Sequence, residues 1–513
     1  MSLFAKKSIK GLLSQLEDSD KGLKRSLTAW SLVTLGIGAI IGAGLFVRTA
    51  AAASEAAGPG VTLSFIVAAV GCAFAGLCYA EFASMIPIAG SAYAYSYVTM
   101  GELVAWIIGW ALILEYALGA TTVAIAWSEY LNELLGGAIP PQWCHSPFEG
   151  GIINIPAVVI VFALTLLLIR GMQESAMVNA IIVFVKVAIV LLFVGFGWHF
   201  IQQVNHHPFL IPANQAPIRN GAGKIIPDFD YSKWNKHGWG GVLGGAAIVF
   251  FAFIGFDAVS TAAQETKNPK KAMPIGIMGS LIICTVLYIL FGYVLTGVAK
   301  FTEFAIAGKE ASVVYAVQHH MPGFGWLATS ITVAILAGFT SVILVMLMGQ
   351  SRVFYTMSND GLIPKVFGAL HPKYKTPYKA NWILFIFVGL FAAFIPGSVA
   401  GDLTSFGTLF AFALVSIGVW ILRVKEPDLE RPFKTPFVPV VPILGVLICL
   451  SMIVALDKQT LIVAFSWMIV GLVVYFLYSR KHSKVQQELK ESGKGNVQDG
   501  EMEVISTLID DFK

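Results

Sequence analysis

Apolar residues in this chain are gathered into runs too long for the helices of a water-soluble core. A helix needs about 20 mostly apolar residues to cross a bilayer, and about twelve such runs lie between Leu27 and Tyr478. Their predicted bounds are 27–53, 61–85, 101–132, 152–169, 176–200, 239–262, 275–298, 325–356, 379–396, 403–424, 439–456 and 460–479. Charged residues fall mainly between them. The pattern therefore predicts an all-α polytopic membrane protein with about twelve transmembrane helices.

An even number of crossings puts both termini on one side. Lys6, Lys7, Lys10, Lys21, Lys24 and Arg25 precede the first run, and Lys267, Lys270, Lys271, Lys365, Lys373 and Lys375 fall in loops on that same side. Basic loops stay in the cytoplasm, so the expected location is the cell (inner) membrane with both termini cytoplasmic. Arg219, Lys224, Lys233 and Lys236 in the 201–238 loop would face outward, but long loops obey the charge rule less strictly.

Composition agrees with this class: 57% of residues are hydrophobic and 12% charged, and the mean hydropathy is +0.75. The expected domains are a cytoplasmic segment 1–26, a membrane domain 27–479 and a disordered cytoplasmic tail 480–513. The net charge of +4 is accounted for by cytoplasmic loops and gives no support to nucleic-acid binding. The first run is too long, and too glycine-rich, for a cleaved signal peptide. Of the five cysteines, only Cys144 falls outside the runs, so no disulfide framework is expected. The histidines, including His206, His207, His319 and His320, lie at helix ends or in loops without ligand spacing, and no metal site is expected. Walker, His-Glu-x-x-His and nucleophile motifs are absent from the sequence, which argues against an enzyme.

Two of the runs are broken by glycine. The first carries Gly36, Gly38, Gly42 and Gly44 near its middle; the sixth carries Gly240, Gly241, Gly244 and Gly245 ahead of Phe250-Phe-Ala-Phe-Ile-Gly-Phe-Asp257. Each glycine weakens a helix by about 1 kcal/mol relative to alanine. Within a bilayer, freed backbone groups must meet protein, water or a ligand. Glycines also let helices pack closely, but breaks at matching positions of successive five-helix halves point to an inverted repeat with a site at the midplane. Such a site suits a zwitterion: half-helix amides attract a carboxylate, and unwound carbonyls accept from an ammonium.

The stretches Gly38-Ala-Ile-Ile-Gly-Ala-Gly-Leu-Phe46 and Phe251-Ala-Phe-Ile-Gly-Phe-Asp257 resemble signatures of the amino acid–polyamine–organocation superfamily. Pro87-Ile-Ala-Gly-Ser-Ala-Tyr-Ala-Tyr95, Ser351-Arg-Val-Phe-Tyr-Thr-Met-Ser-Asn-Asp-Gly-Leu-Ile-Pro364, Gly407–Ser416 and Arg431-Pro-Phe-Lys-Thr-Pro-Phe-Val-Pro439 are similar to its cationic amino acid transporter branch, bacterial members especially. The resemblance implies a LeuT-like fold: a first repeat at 27–200, a second at 239–424 and two accessory helices at 439–479. It also implies a substrate site at Ile41, Gly42, Ala43 and Gly44, whose amides would hold a carboxylate. Phe251, Ala252, Phe253 and Ile254 would complete it, with carbonyls for the amino group and Phe251 as a lid.

Lys186 lies about ten residues from either end of its run, roughly 15 Å from an interface and beyond snorkelling reach. A charge there demands a partner, and a buried lysine suits proton coupling. The resemblance implies that its ammonium replaces a sodium ion, reaching carbonyls near Ile37 and Gly38 with Ser341 as a further partner. Glu115 and Asp257 are the other intramembrane candidates for coupling. Glu81, near a helix end, reads as solvated or as a helix-packing residue. The resemblance also implies that Met346 projects into the pocket and favours small side chains, although methionine is also an ordinary gap-filler.

The sequence thus predicts a secondary amino acid transporter, with proton-coupled symport of small neutral L-amino acids such as alanine as the leading reading. Cationic substrates or exchange are the alternative, and an amino acid sensor the alternative of another class. No cofactor is expected beyond H+ as the coupling ion. The expected partners are the substrate and the lipid bilayer, and the sequence leaves a small single-span protein partner open.

Overall fold

A computed structural model of the chain describes residues 3–7, 27–86, 91–171, 176–219, 223–261, 266–305 and 312–491. Lys10, Lys21, Lys24, Arg25, the Pro87–Gly90 start of one motif and the tail 492–513 lie outside the described residues.

The apolar runs are helices. Seven are long and apolar enough to cross a membrane and five more are shorter apolar helices, among the described residues. The chain is a predominantly helical, multi-pass membrane protein; its described residues form no strand, only two isolated bridges. The first run gives α1 (Ala29–Ile40), capped by Thr28, whose hydroxyl accepts the Ser31 amide at 3.3 Å. After the break comes a second arm, 44–57, wound partly in wide π-type turns. Then follow α2 (Val61–Met85), α3 (Ser91–Thr99), α4 (Glu102–Leu134), α5 (Ile155–Ile169) and α6 (Ala176–Gly197). The sixth run gives α7 (Gly238–Val249), a tight turn at Phe250–Phe253 and an extended passage through Ile254. The rest of the chain forms α8 (Pro269–Val298), α9 (Ser312–His320), α10 (Gly325–Asn359), α11 (Tyr378–Phe394), α12 (Gly397–Lys425), α13 (Val440–Ala455), α14 (Lys458–His482) and α15 (Lys484–Glu491).

Burial separates centre from periphery. The most apolar window of α4 is 78% buried, whereas that of α14 is 28% buried and turns Phe476 and Leu477 outward. Against α4 pack α10 and α12, while α8 lies against both α1 and α2. The core of the molecule therefore sits around the two broken helices.

Several boundaries differ from the sequence pattern. Helix α8 begins at Pro269 rather than 275, because proline is tolerated in a first helical turn. Helix α12 begins at Gly397 rather than 403, and α3 and α9 were not anticipated. The tail is not disordered from 480: Arg480–His482 continues α14 and Lys484–Glu491 forms α15. Of the two readings of Glu81, helix packing is the one observed. The residue is buried at the end of α2, where Arg423 donates to both its oxygens at 2.8 and 2.9 Å and the Thr435 amide adds a bond at 2.8 Å.

Both described chain ends meet on one face, here the terminal face. The Leu103 and Glu102 amides, at the start of α4, donate to the Leu3 and Ala5 carbonyls at 3.1 and 3.0 Å. The Glu102 carboxylate accepts from Tyr97 at 2.9 Å, from Tyr475 at 3.0 Å and from Ser483. Asp360, at the end of α10, pairs with Lys7 and accepts Tyr93 at 2.7 Å.

Candidate functional site: the two broken helices

Between α1 and the 44–57 arm, Ile41 is extended (φ −73°, ψ 102°), and Gly42 and Ala43 lead into the new helical start. Helix geometry supplies no carbonyl to the first amides of that start, so those near Gly42, Ala43 and Gly44 remain suited to an anion. In the other broken helix, Ile254 is extended (φ −61°, ψ 138°) and Gly255 has φ +110°, a conformation that side-chain-bearing residues rarely adopt. The breaks touch. A Cβ on Gly44 would fall 2.1 Å from the Ala252 Cα, and one on Gly255 would fall 2.9 Å from the Ala39 carbonyl oxygen. Tyr288 of α8 fastens the two together, its hydroxyl lying 2.9 Å from both the Ile40 and the Ala252 carbonyl oxygens. Ala252, expected to receive a substrate ammonium, thus already accepts a protein hydrogen bond.

Beside the breaks lies a small cavity lined by Ala39, Tyr116, Ile254, Gly255, Val342, Val345 and Met346. Met346 lines this cavity, and its sulfur lies 2.9 Å from where a Gly119 Cβ would be. Phe251 and Phe253 are buried in the tight turn, and Phe253 packs edge-on against Tyr288 and Phe65. The lining is apolar apart from backbone and the Tyr116 hydroxyl, which donates to Asp257 at 2.6 Å.

Lys186, Glu115 and Asp257 are all buried. Lys186 of α6 donates from Nζ to the Gly38 carbonyl at 2.9 Å, in the last turn of α1. Its stem runs along α10 at Gly338, one turn before the buried Ser341. Glu115 neighbours Asp257 and Thr408, and neither of its carboxyl oxygens is in a hydrogen bond among the described residues. Asp257 thus meets Tyr116 and neighbours Glu115, whereas Lys186 meets the end of α1.

Residues 27–479 match the family model described as amino acid permease. The chain belongs to the amino acid permease family. The permease is 45% identical over 493 residues to the branched-chain amino acid permease BcaP of Bacillus subtilis (strain 168), covering 95% of this chain and 99% of the relative. It is 42% identical to the methylthioribose transporter of the same organism, over 94% of this chain and 99% of that one. It is also 31% identical to the vacuolar cationic amino acid transporter 4 of Arabidopsis thaliana, over 83% of this chain and 68% of the relative. These relatives are named as permeases and transporters rather than enzymes.

Sequence reasoning missed several residues of the permease that the fold brings to the site. Tyr116 and Tyr288 carry no charge and sit among other aromatics, so only their contacts single them out. Val342 and Val345 share a helical face with Met346 and could have been read from it. Arg48 is another, since an arginine inside a predicted span is itself a functional signal. It is 2% exposed and pairs with Asp402 at the start of α12. On the same arm, the Phe46 carbonyl accepts from the Tyr130 hydroxyl at 3.2 Å.

Proposed function

We propose that the permease is a proton-coupled symporter of neutral aliphatic L-amino acids working by alternating access. The observation that carries this reading is the Lys186 ammonium, buried and 2.9 Å from the Gly38 carbonyl oxygen where the first helix breaks. A fixed lysine charge at that point replaces a bound monovalent cation, and gain or loss of its proton changes how firmly α6 holds α1. The substrate carboxylate is taken by the amides near Gly42, Ala43 and Gly44, and its ammonium by carbonyls of the Phe251–Ile254 turn. Phe251 covers it.

The apolar lining by Val342, Val345, Met346 and Ile254 supports a neutral aliphatic side chain. Alanine is accommodated, and the name of the Bacillus relative at 45% identity adds branched-chain amino acids to the candidates. A cationic side chain would have to pass Tyr116 to reach Glu115 and Asp257. This reading includes two inverted halves of five apolar helices each, α1, α2, α4, α5 and α6, then α7, α8, α10, α11 and α12, each half opening with a broken helix; the short α3 and α9 lie between these, and α13 and α14 are accessory helices. The terminal face is cytoplasmic because the basic residues collect there.

The test is uptake into proteoliposomes of radiolabelled alanine, valine, leucine, isoleucine, arginine and methylthioribose, under an imposed proton or sodium gradient. Proton-driven accumulation of the neutral amino acids that is lost in Lys186→Ala supports the proposal. Sodium-driven uptake indifferent to Lys186, or transport restricted to arginine or methylthioribose, overturns it.

A further inference from the structure

Outside the spans, the last part of the 201–238 loop holds a cation that the proposed mechanism leaves unused. Lys236 is only 2% exposed, although it belongs to a loop. Its Nζ lies 3.9 Å from Glu55 Oε2, in the 44–57 arm, and 3.3 Å from Asp457 Oδ2, in the turn between α13 and α14. Its neighbours are fastened in the same two directions. Tyr231 donates to the Ser54 carbonyl at 2.6 Å, while Asn235 donates from Nδ2 to the Ala455 carbonyl at 2.8 Å. Lys233 adds a weaker contact to Asp457 at 3.5 Å.

We propose that Lys236 is a gating residue: its buried ammonium joins the arm of the first broken helix to the α13–α14 turn, and this joint parts whenever the face opposite the termini opens.

The geometry supports a device that moves rather than a static brace. Lys236, Asp402, Asp457, Asn235, Gly244 and Ile248 line a cavity directly above the Arg48–Asp402 pair, so the two sets of charges form one lattice over the site. The 44–57 arm cannot swing away from α12 without also leaving Lys236. Burial alone would pull the proton from Lys236, but the carboxylates of Glu55, Asp457, Asp228 and Asp402 outweigh it and hold the ammonium above the ordinary lysine range. The joint is therefore charged, and removing one partner leaves a buried charge uncompensated, which favours an arrangement in which water reaches it. In this way α13 and α14, otherwise bystanders to the repeats, bear on the gate. The inference rests on alternating access but not on the identity of substrate or coupling ion.

The experiment uses the full chain in intact cells with Cys144→Ser and a reporter, Ile248→Cys, in that cavity. The rate of labelling by a membrane-impermeant maleimide reports opening of the outer face. Lys236→Met is expected to raise the rate by about tenfold, equivalent to about 1.4 kcal/mol. Lys236→Arg restores the slow rate, which loss of a merely structural contact in the loop would not explain. Asp457→Asn, a change on a partly exposed partner, raises the rate as well, and the double variant adds little beyond either single change. An unchanged rate in both Lys236→Met and Asp457→Asn, in protein that purifies as a monodisperse species, overturns the proposal. So does an equal rise in Lys236→Arg. Labelling needs neither a known substrate nor a gradient, so failure here is separable from failure of proton coupling.

Discussion

The Tyr288 hydroxyl bears on the spacing of the two breaks, since it reaches both the Ile40 and the Ala252 carbonyl across the helices. In Tyr288→Phe the ring and its packing against Phe65 and Phe253 remain, but two carbonyls in a buried, unwound region lose a donor. Leaving such groups unpaired costs about 1–3 kcal/mol. The expected result is a lower unfolding temperature in detergent together with weaker substrate binding in an equilibrium assay. A normal affinity with only a stability loss would mean that Tyr288 braces α8 and does not set the site. At this scale the sequence was legible where a residue type is out of place in a membrane. Lys186, Glu115 and Asp257 stood out because ionised groups are costly there, and all three are buried beside the breaks. Tyr288 and Tyr116 were illegible because tyrosine in an apolar helix is unremarkable until its hydroxyl is seen to have a target.

Helices broken by glycine were legible because glycine acts through the local backbone, which the sequence states directly. What could not be read was that the breaks press against each other, since that contact joins residues more than two hundred positions apart. Gly44 makes the distinction testable. A methyl group there meets the Ala252 backbone at 2.1 Å, and backbone cannot rotate away as a side chain does. Gly44→Ala must therefore push the 44–57 arm off the 250–253 turn. Overpacking of this kind costs roughly 1–3 kcal/mol where the surroundings give. Uptake in proteoliposomes should fall to background while expression and monodispersity persist. Gly195→Ala, on the lipid side of α6 where nothing lies within 4 Å, should leave uptake unchanged. Equal uptake by both variants would show that the arms do not need to touch.

Across the whole molecule, the two faces are tied by different means: ion pairs around Arg48 and Lys236 on one, and contacts of the described chain ends on the other. The second was hidden by composition, because a polar tail without aromatic residues reads as disordered. What orders residues 480–491 is a requirement elsewhere. Glu102 is fully buried at the start of α4, and a buried carboxylate demands donors. Tyr97 and Tyr475 supply two, and Ser483 supplies a third from the junction of α14 and α15. The Lys484 amide then donates to the Asp360 carbonyl at 3.1 Å, tying that junction to the end of α10, where Lys7 already pairs with the same residue. A chain ending at His482 removes the Ser483 donor and the Lys484 tie together. Hydrogen bonds to charged groups contribute about 1.5–3 kcal/mol each, so the shortened protein should unfold at a lower temperature. It should also exchange amide hydrogens faster at the start of α4 and the end of α10, with the protection of the 228–237 loop unchanged because that loop belongs to the other lattice. Faster exchange on both faces would mean that the two closures are one cooperative unit. Faster exchange confined to the terminal face would mean that the ties on that face can loosen while those on the opposite face hold.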